Sequence, residues 1–187
     1  MRSVSLDEAT SPYEYYLGFK GTEVTEFLDK ADEKFVALLS GNQAGKTASV
    51  AKNYVDRVLG MHSVPEKNIL AKEVCCMSSS LPTSTSHEEQ DNTQYLELKK
   101  LIPPLMIEKD ITARVSNLVI KRPVGQSSPR TVFEFRSSKQ EMQDLGKIQL
   151  SSVWHDEETP QGHRQECKMR LLSEGGDEVF SLTPTNP

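Results

Sequence analysis

The chain has 187 residues, enough for one domain of ordinary size whose core needs no disulfide or metal staple. With 27 acidic and 22 basic residues it carries a net charge of −5, which argues against a protein permanently coated with nucleic acid, since phosphate neutralisation needs a basic face. No apolar run approaches the roughly 20 residues that span a bilayer, the N-terminus turns polar too early for a secretory signal, and three scattered cysteines form no disulfide framework, so a cytoplasmic protein with no membrane partner is expected.

The segment GTEVTEFLDKADEKF places Val24, Phe27 and Leu28 at helical spacing and predicts a short helix. Lys34–Leu39, KFVALL, is short, apolar and free of turn residues, the pattern of a buried strand in a parallel sheet. After a glycine-bearing turn, TASVAKNYVDRVLG repeats apolar residues in two interlocking rows, Ala51, Val55, Leu59 and Val50, Tyr54, Val58, which predict an amphipathic helix that Gly60 can stop. A second strand falls within Ala71–Ser79. Ser86 and Glu89 then make a capping box for a helix carrying Tyr95, Leu98 and Ile102, ended by Pro103 and Pro104.

ITARVSNLVI and TVFEF read as two strands joined by the loop KRPVGQSSPR, a β-hairpin added to the sheet. Between Ile111 and Lys139 the basic residues Arg114, Lys121, Arg122, Arg130, Arg136 and Lys139 face the single acid Glu134, a net +5. That reversal is either a solvated hairpin or a binding surface for DNA or a neighbouring subunit. SSKQEMQDLG suits a helical turn, KIQLSSVWHDEE a strand ending in acids, HRQECKMRLLSEGG a helix with a glycine cap, and EVFSLTPTNP a last strand. Strand and helix alternate throughout, so the fold class is α/β with a mainly parallel central sheet flanked by helices. An end immediately after a strand predicts a fragment of a longer protein. His163 and Cys167, four apart, with Cys75 or Cys76 are the conceivable zinc donors, and no C-x-x-C spacing supports them.

SGNQAGKT, Ser40–Thr47, lies between a strand and a helix. Small residues let successive backbone N–H groups turn around an anion, and the following helix aims its positive dipole end at the same point. Gly41, Ala44 and Gly45 meet that need, and Ser40 stands where G-x-x-x-x-G-K-[ST] has its first glycine. In such a loop Lys46 supplies a point charge to the β- and γ-phosphates and Thr47 a hydroxyl to Mg²⁺, with Asn42 and Gln43 completing the cradle. Hydrolysis also needs a carboxylate on the far side of the metal and another to deprotonate the attacking water. VWHDEE offers Asp156 for the first and Glu157 for the second, although Ser151, Ser152 and His155 interrupt the apolar run of a central strand.

Together SGNQAGKT, FEFRSSKQEMQDLG, VWHDEETP and VFSLTPTNP resemble, in order from about Phe35 to the end, the ATPase domain of the large terminase subunit of tailed bacteriophages. The resemblance implies an ASCE-type P-loop NTPase that hydrolyses ATP with Mg²⁺ and drives double-stranded DNA through a portal into the capsid, in the cytoplasm of the infected bacterium. Ser40–Thr47 would be Walker A, Asp156 and Glu157 Walker B with the catalytic carboxylate, and Thr183, Pro184, Thr185 and Asn186 a coupling motif that senses the γ-phosphate. The family also implies a portal protein and a small terminase subunit as partners, and a ring of identical chains when assembled, with a monomer in isolation. A basic residue acting in trans between subunits, or on DNA, falls among Arg136, Lys139 and Lys147, and the sequence does not choose. A lid subdomain and a C-terminal nuclease domain would lie beyond residue 187 of this single ATPase domain. The alternatives are another P-loop DNA helicase or translocase, and a nucleotide-binding assembly module without catalysis.

Overall fold

A computed structural model of the chain describes residues 23–41, 45–69, 72–79, 93–112, 116–121, 130–141 and 149–184. Seven strands, β1 (Phe35–Leu39), β2 (Glu73–Ser78), β3 (Ile107–Ile111), β4 (Ser116–Lys121), β5 (Arg130–Ser137), β6 (Ser152–Asp156) and β7 (Asp177–Leu182), form one sheet in the order β1-β7-β6-β2-β5-β4-β3. The first five in that order pair in parallel, whereas β4 runs antiparallel to both β5 and β3. Among the described residues four α-helices, α1 (Glu23–Lys30), α2 (Lys46–Leu59), α3 (Thr93–Leu101) and α4 (Gln161–Leu172), flank it.

Strand periodicity sorts the side chains onto two faces. One face presents Val36, Val74, Cys76, Leu118, Phe133, Phe135, Trp154 and Val179 to α1, α2 and α3. All six residues of the two rows read on α2 are buried there, and Tyr54 stacks on Trp154 with ring centroids 5.7 Å apart. On the opposite face Cys75, Met77 and Val153 pack against Leu150 and against Cys167 and Leu171 of α4. The three cysteines are buried and free. No group of three or more His, Cys, Asp or Glu side chains suited to a metal occurs among the described residues, and His163 bonds the Gln140 carbonyl through Nε2 at 2.9 Å. No described helix is long and apolar enough to cross a membrane.

Several expectations need correction. β1 is not fully buried: among the described residues it pairs only with β7, and its burial alternates, with Phe35 and Leu39 49% and 65% exposed. A run of apolar residues is therefore a half-buried edge strand, because period-two geometry turns alternate side chains to a less covered face, where Arg164 of α4 lies over the Phe35 ring. The single strand read over 111–120 is two, since β3 ends at Ile111 and β4 starts at Ser116, paired antiparallel. β3, IEKDI, went unread because its polar, exposed side chains carry no period. α4 ends at Leu172, one turn before the glycines; Gly175 then takes φ 63° and the Gly176 N–H closes on the Leu171 carbonyl at 3.1 Å. The capping box at Ser86 and Glu89 lies outside the described residues.

Candidate functional site

Parallel pairing puts the C-terminal ends of β1, β7 and β6 side by side, the end of an α/β sheet where ligands collect. Register makes the alignment specific: Leu39 is opposite Leu182 and Asp156 opposite Ser181. Residues leaving the three strands, Ser40, Thr183 and Glu157, are thus neighbours although far apart in the chain. The Ser40 N–H reaches the Leu182 carbonyl at 3.3 Å and the Glu157 N–H the Ser181 carbonyl at 2.9 Å.

Gly45 opens α2 in the left-handed region, φ 73°, and nothing lies within 4 Å of a Cβ placed there. Backbone conformation rather than crowding therefore asks for glycine. The next residue, Lys46, is buried; its Nζ donates to the carbonyls of Ser40 at 2.8 Å and Gly41 at 2.9 Å, and to Thr183 Oγ1 at 3.2 Å. Thr183 in turn holds Glu157, with Oγ1 donating to Oε1 at 2.7 Å and the backbone N–H to Oε2 at 3.0 Å. One hydrogen-bonded chain thus runs from the loop lysine through the end of β7 to the acid at the end of β6.

Glu157 has φ 66°, which makes it the single non-glycine residue with positive φ among those described. Such a backbone costs on the order of 1 kcal/mol or more and persists where the surroundings hold it. Here the Ser181 carbonyl on one side and Thr183 on the other do so. Asp156, one residue earlier, is buried, and its carboxylate accepts from three hydroxyls: Ser181 at 2.6 Å and Thr47 at 3.2 Å on Oδ1, and Thr93 at 2.8 Å on Oδ2. Burial, followed by the Asp156 charge, pushes the thiol of Cys76 well above its ordinary range, so it stays a neutral packing group.

Of the residues singled out in the sequence, the structure brings Ser40, Gly41, Gly45, Lys46, Thr47, Asp156, Glu157 and Thr183 to one sheet end, and Pro184 follows directly. Asn42, Gln43, Ala44, Lys147, Thr185 and Asn186 lie outside the described residues. Arg136 is not at the surface: it is 5% exposed, and its Nη2 bonds Glu134 at 2.7 Å. Arg130 pairs with Glu108 of β3, so the basic stretch is partly neutralised, while Lys139 is exposed. A cleft of about 560 Å³ lies at the other end of the sheet, lined by Arg57, Lys67, Lys72 and Asp177, away from these residues.

Ser152 and His155, which interrupt the apolar run of β6, each have a side-chain hydrogen-bond partner, although the buried His155 Nε2 has none among the described residues and lies 3.5 Å from Glu178 Oε1. Ser152 Oγ bonds Tyr54 Oη at 2.7 Å, and His155 Nδ1 bonds Thr159 Oγ1 at 2.9 Å. Burial holds the His155 imidazole below its ordinary pKa, although Glu178 pulls the other way. Thr93 and Ser181 were missed. A serine inside the buried strand DEVFSL was itself a signal, because a buried hydroxyl needs a partner.

No protein-family model matches the sequence, and no curated protein sequence matches it significantly. Solved structures do match. The large terminase ATPase domain of Thermus phage P74-26 superposes with a TM-score of 0.62 at 17% identity, over 93% of this chain and 70% of that one. The chain has the fold of a phage large terminase ATPase domain. An arginine-to-alanine variant of the P74-26 domain gives a TM-score of 0.61, also at 17% identity, over 92% of this chain and 70% of that one. The large terminase of a second, thermophilic bacteriophage gives 0.65 at 17% identity, over 90% of this chain and 40% of the other. The sheet of seven mostly parallel strands between helices is therefore that of a terminase-type ATPase fold.

Proposed function

We propose that the chain is the ATP-hydrolysing motor domain of a viral terminase large subunit, which drives double-stranded DNA through the portal into the capsid. The observation that carries this reading is the continuous link Lys46–Thr183–Glu157, with Asp156 and Thr47 in contact beside it. A loop lysine, a helix-borne hydroxyl and two consecutive acids at the end of β6 are the groups that phosphoryl transfer to water requires.

The Thr47 hydroxyl and the Asp156 carboxylate, 3.2 Å apart, are hard oxygen donors suited to Mg²⁺, which takes few protein ligands and fills its shell with water and phosphate oxygens. When bound there it would neutralise charge on the β- and γ-phosphates. Lys46 exchanges the carbonyls of Ser40 and Gly41 for phosphate oxygens, and the N-terminus of α2 faces the same charge. Glu157 accepts a proton from the attacking water as its oxygen bonds the γ-phosphorus and the bond to the β-phosphate oxygen breaks. Thr183 is released from Lys46 when nucleotide enters, so the segment after β7 carries news of occupancy to Pro184, Thr185 and Asn186. In isolation the chain is a slow, monomeric ATPase, since a basic residue from a ring neighbour completes the site; Lys139 and Lys147 are candidates for that role ahead of the internally paired Arg136. The small terminase subunit and the portal are the remaining partners, in the cytoplasm of the infected host.

The test is phosphate release from ATP by the chain with Mg²⁺ or with a chelator, alone and with double-stranded DNA and portal. Slow Mg²⁺-dependent release that DNA and portal accelerate supports the reading. Duplex unwinding without portal would identify a helicase, and ATP binding with no release under any condition an assembly module.

A further inference from the structure

Asp156 is held by more than a metal ligand needs. Ser181 is wholly buried, and its hydroxyl accepts from the Trp154 indole N–H at 3.0 Å. With that lone pair taken, its one hydrogen goes to Asp156 Oδ1 at 2.6 Å, a shorter contact than the 3.4 Å to the His155 carbonyl. Thr93, the first residue of α3, donates to the other oxygen, Oδ2, at 2.8 Å. The carboxylate is clamped from two elements, β7 on one side and α3 on the other, which leaves its Thr47 side as the direction for a cation.

We infer that Thr93 and Ser181 are positioning residues that orient the Asp156 carboxylate and thereby set the affinity of the nucleotide site for divalent metal. Neither touches nucleotide; each acts through Asp156. Groups that orient a metal-binding carboxylate typically change metal affinity roughly 10–100-fold when removed. The inference rests on the ATPase reading above and assigns the metal dependence of that site. Thr93 also ties the metal position to α3, whose Gln94 Nε2 donates to the Trp154 carbonyl at 3.0 Å, so α3 grips β6 at two consecutive residues.

Calorimetric binding of a non-hydrolysable ATP analogue, with Mg²⁺ and with chelator, tests this by the ratio of the two affinities. Thr93→Val keeps the shape but loses the donor, and it should reduce the Mg²⁺-dependent gain about 10-fold or more. Metal-free affinity should stay within about 2-fold of the parent, and Thr93→Ser, which restores the hydroxyl, should recover most of the gain. Ser181→Ala should act in the same direction; because it strands a buried indole N–H, its folding is checked first by thermal unfolding. An unchanged ratio in Thr93→Val, in a parent that binds the analogue more tightly with Mg²⁺, overturns the inference alone. A parent that binds no analogue overturns the ATPase reading and this inference with it.

Discussion

At the residue scale the proposed mechanism turns on Glu157. Its backbone sits in the left-handed region, where glycine is at ease and alanine is not. Glu157→Gly should therefore be more stable than Glu157→Ala by about 1 kcal/mol, read from denaturant midpoints, and on the proposed mechanism neither should hydrolyse ATP. An alanine variant as stable as the glycine one would show that the conformation carries no strain. Glu157→Gln should lower single-turnover hydrolysis about 100-fold or more while leaving nucleotide affinity within about 2-fold. Lys46→Ala, in contrast, should weaken binding itself, since it removes the cation that now rests on Ser40, Gly41 and Thr183. Equal binding loss in both variants would make Glu157 structural. The loop Ser40–Thr47 could be singled out in the sequence because its residues are contiguous and phosphate binding demands small residues around a lysine. Thr93 was not, because its partner Asp156 is distant in sequence and only the fold brings them together.

Among elements, α2 connects the site to the far end of the sheet. It begins at Lys46 and ends where Gly60, φ 74°, lets its own N–H reach Arg57 and the Met61 N–H reach Asp56. Arg57 in the last turn donates to Asp177 at the start of β7, both nearly fully buried, and Lys67 adds a second cation at 3.0 Å. Burial alone would raise the Asp177 pKa, but Arg57 and then Lys67 outweigh it and hold the carboxyl below its ordinary range. Removing one partner from such a pair strands a charge, so Asp177→Ala should cost about 3–5 kcal/mol by chemical denaturation. His62, just beyond α2, accepts from the Val64 N–H at Nδ1 and contacts the Leu28 carbonyl through Nε2, a pattern that fits the neutral ring. Burial and then the Arg57 charge lower its pKa, with Asp29 opposing. A depressed folded pKa gives stability that is present above the unfolded value, about 6.5, and lost as pH falls through the folded one. Stability should therefore drop on acidification below about pH 6.5, before the carboxylates titrate, with His155, also held below its ordinary pKa, adding to the same slope, and His62→Gln should reduce the slope. A slope unchanged in the variant would assign none of it to His62. The two rows on α2 were readable because 3.6-residue periodicity is a local property. The edge position of β1 was not, since strand order is settled by distant pairings that apolar content does not encode.

For the whole molecule, the candidate site and the buried ion pairs occupy opposite ends of the parallel part of one sheet. Lys46, Asp156 and Glu157 meet at the C-terminal ends of β1 and β6, bridged by Thr183 after β7, while the cleft lined by Arg57 and Asp177 lies at the other end. Nucleotide at about 100 times its dissociation constant should stabilise the chain by about 2.7 kcal/mol, a gain that Lys46→Ala removes at the same concentration. The decisive experiment is a crystal structure of the chain with Mg²⁺ and a non-hydrolysable ATP analogue. The β- and γ-phosphates are expected on Lys46 and the α2 N-terminus, the metal between Thr47 and Asp156, and Glu157 facing the γ-phosphate with its bond to Thr183 broken. Nucleotide bound in the cleft beside Arg57 and Lys72, with the Lys46–Thr183–Glu157 link intact, would contradict the motor reading.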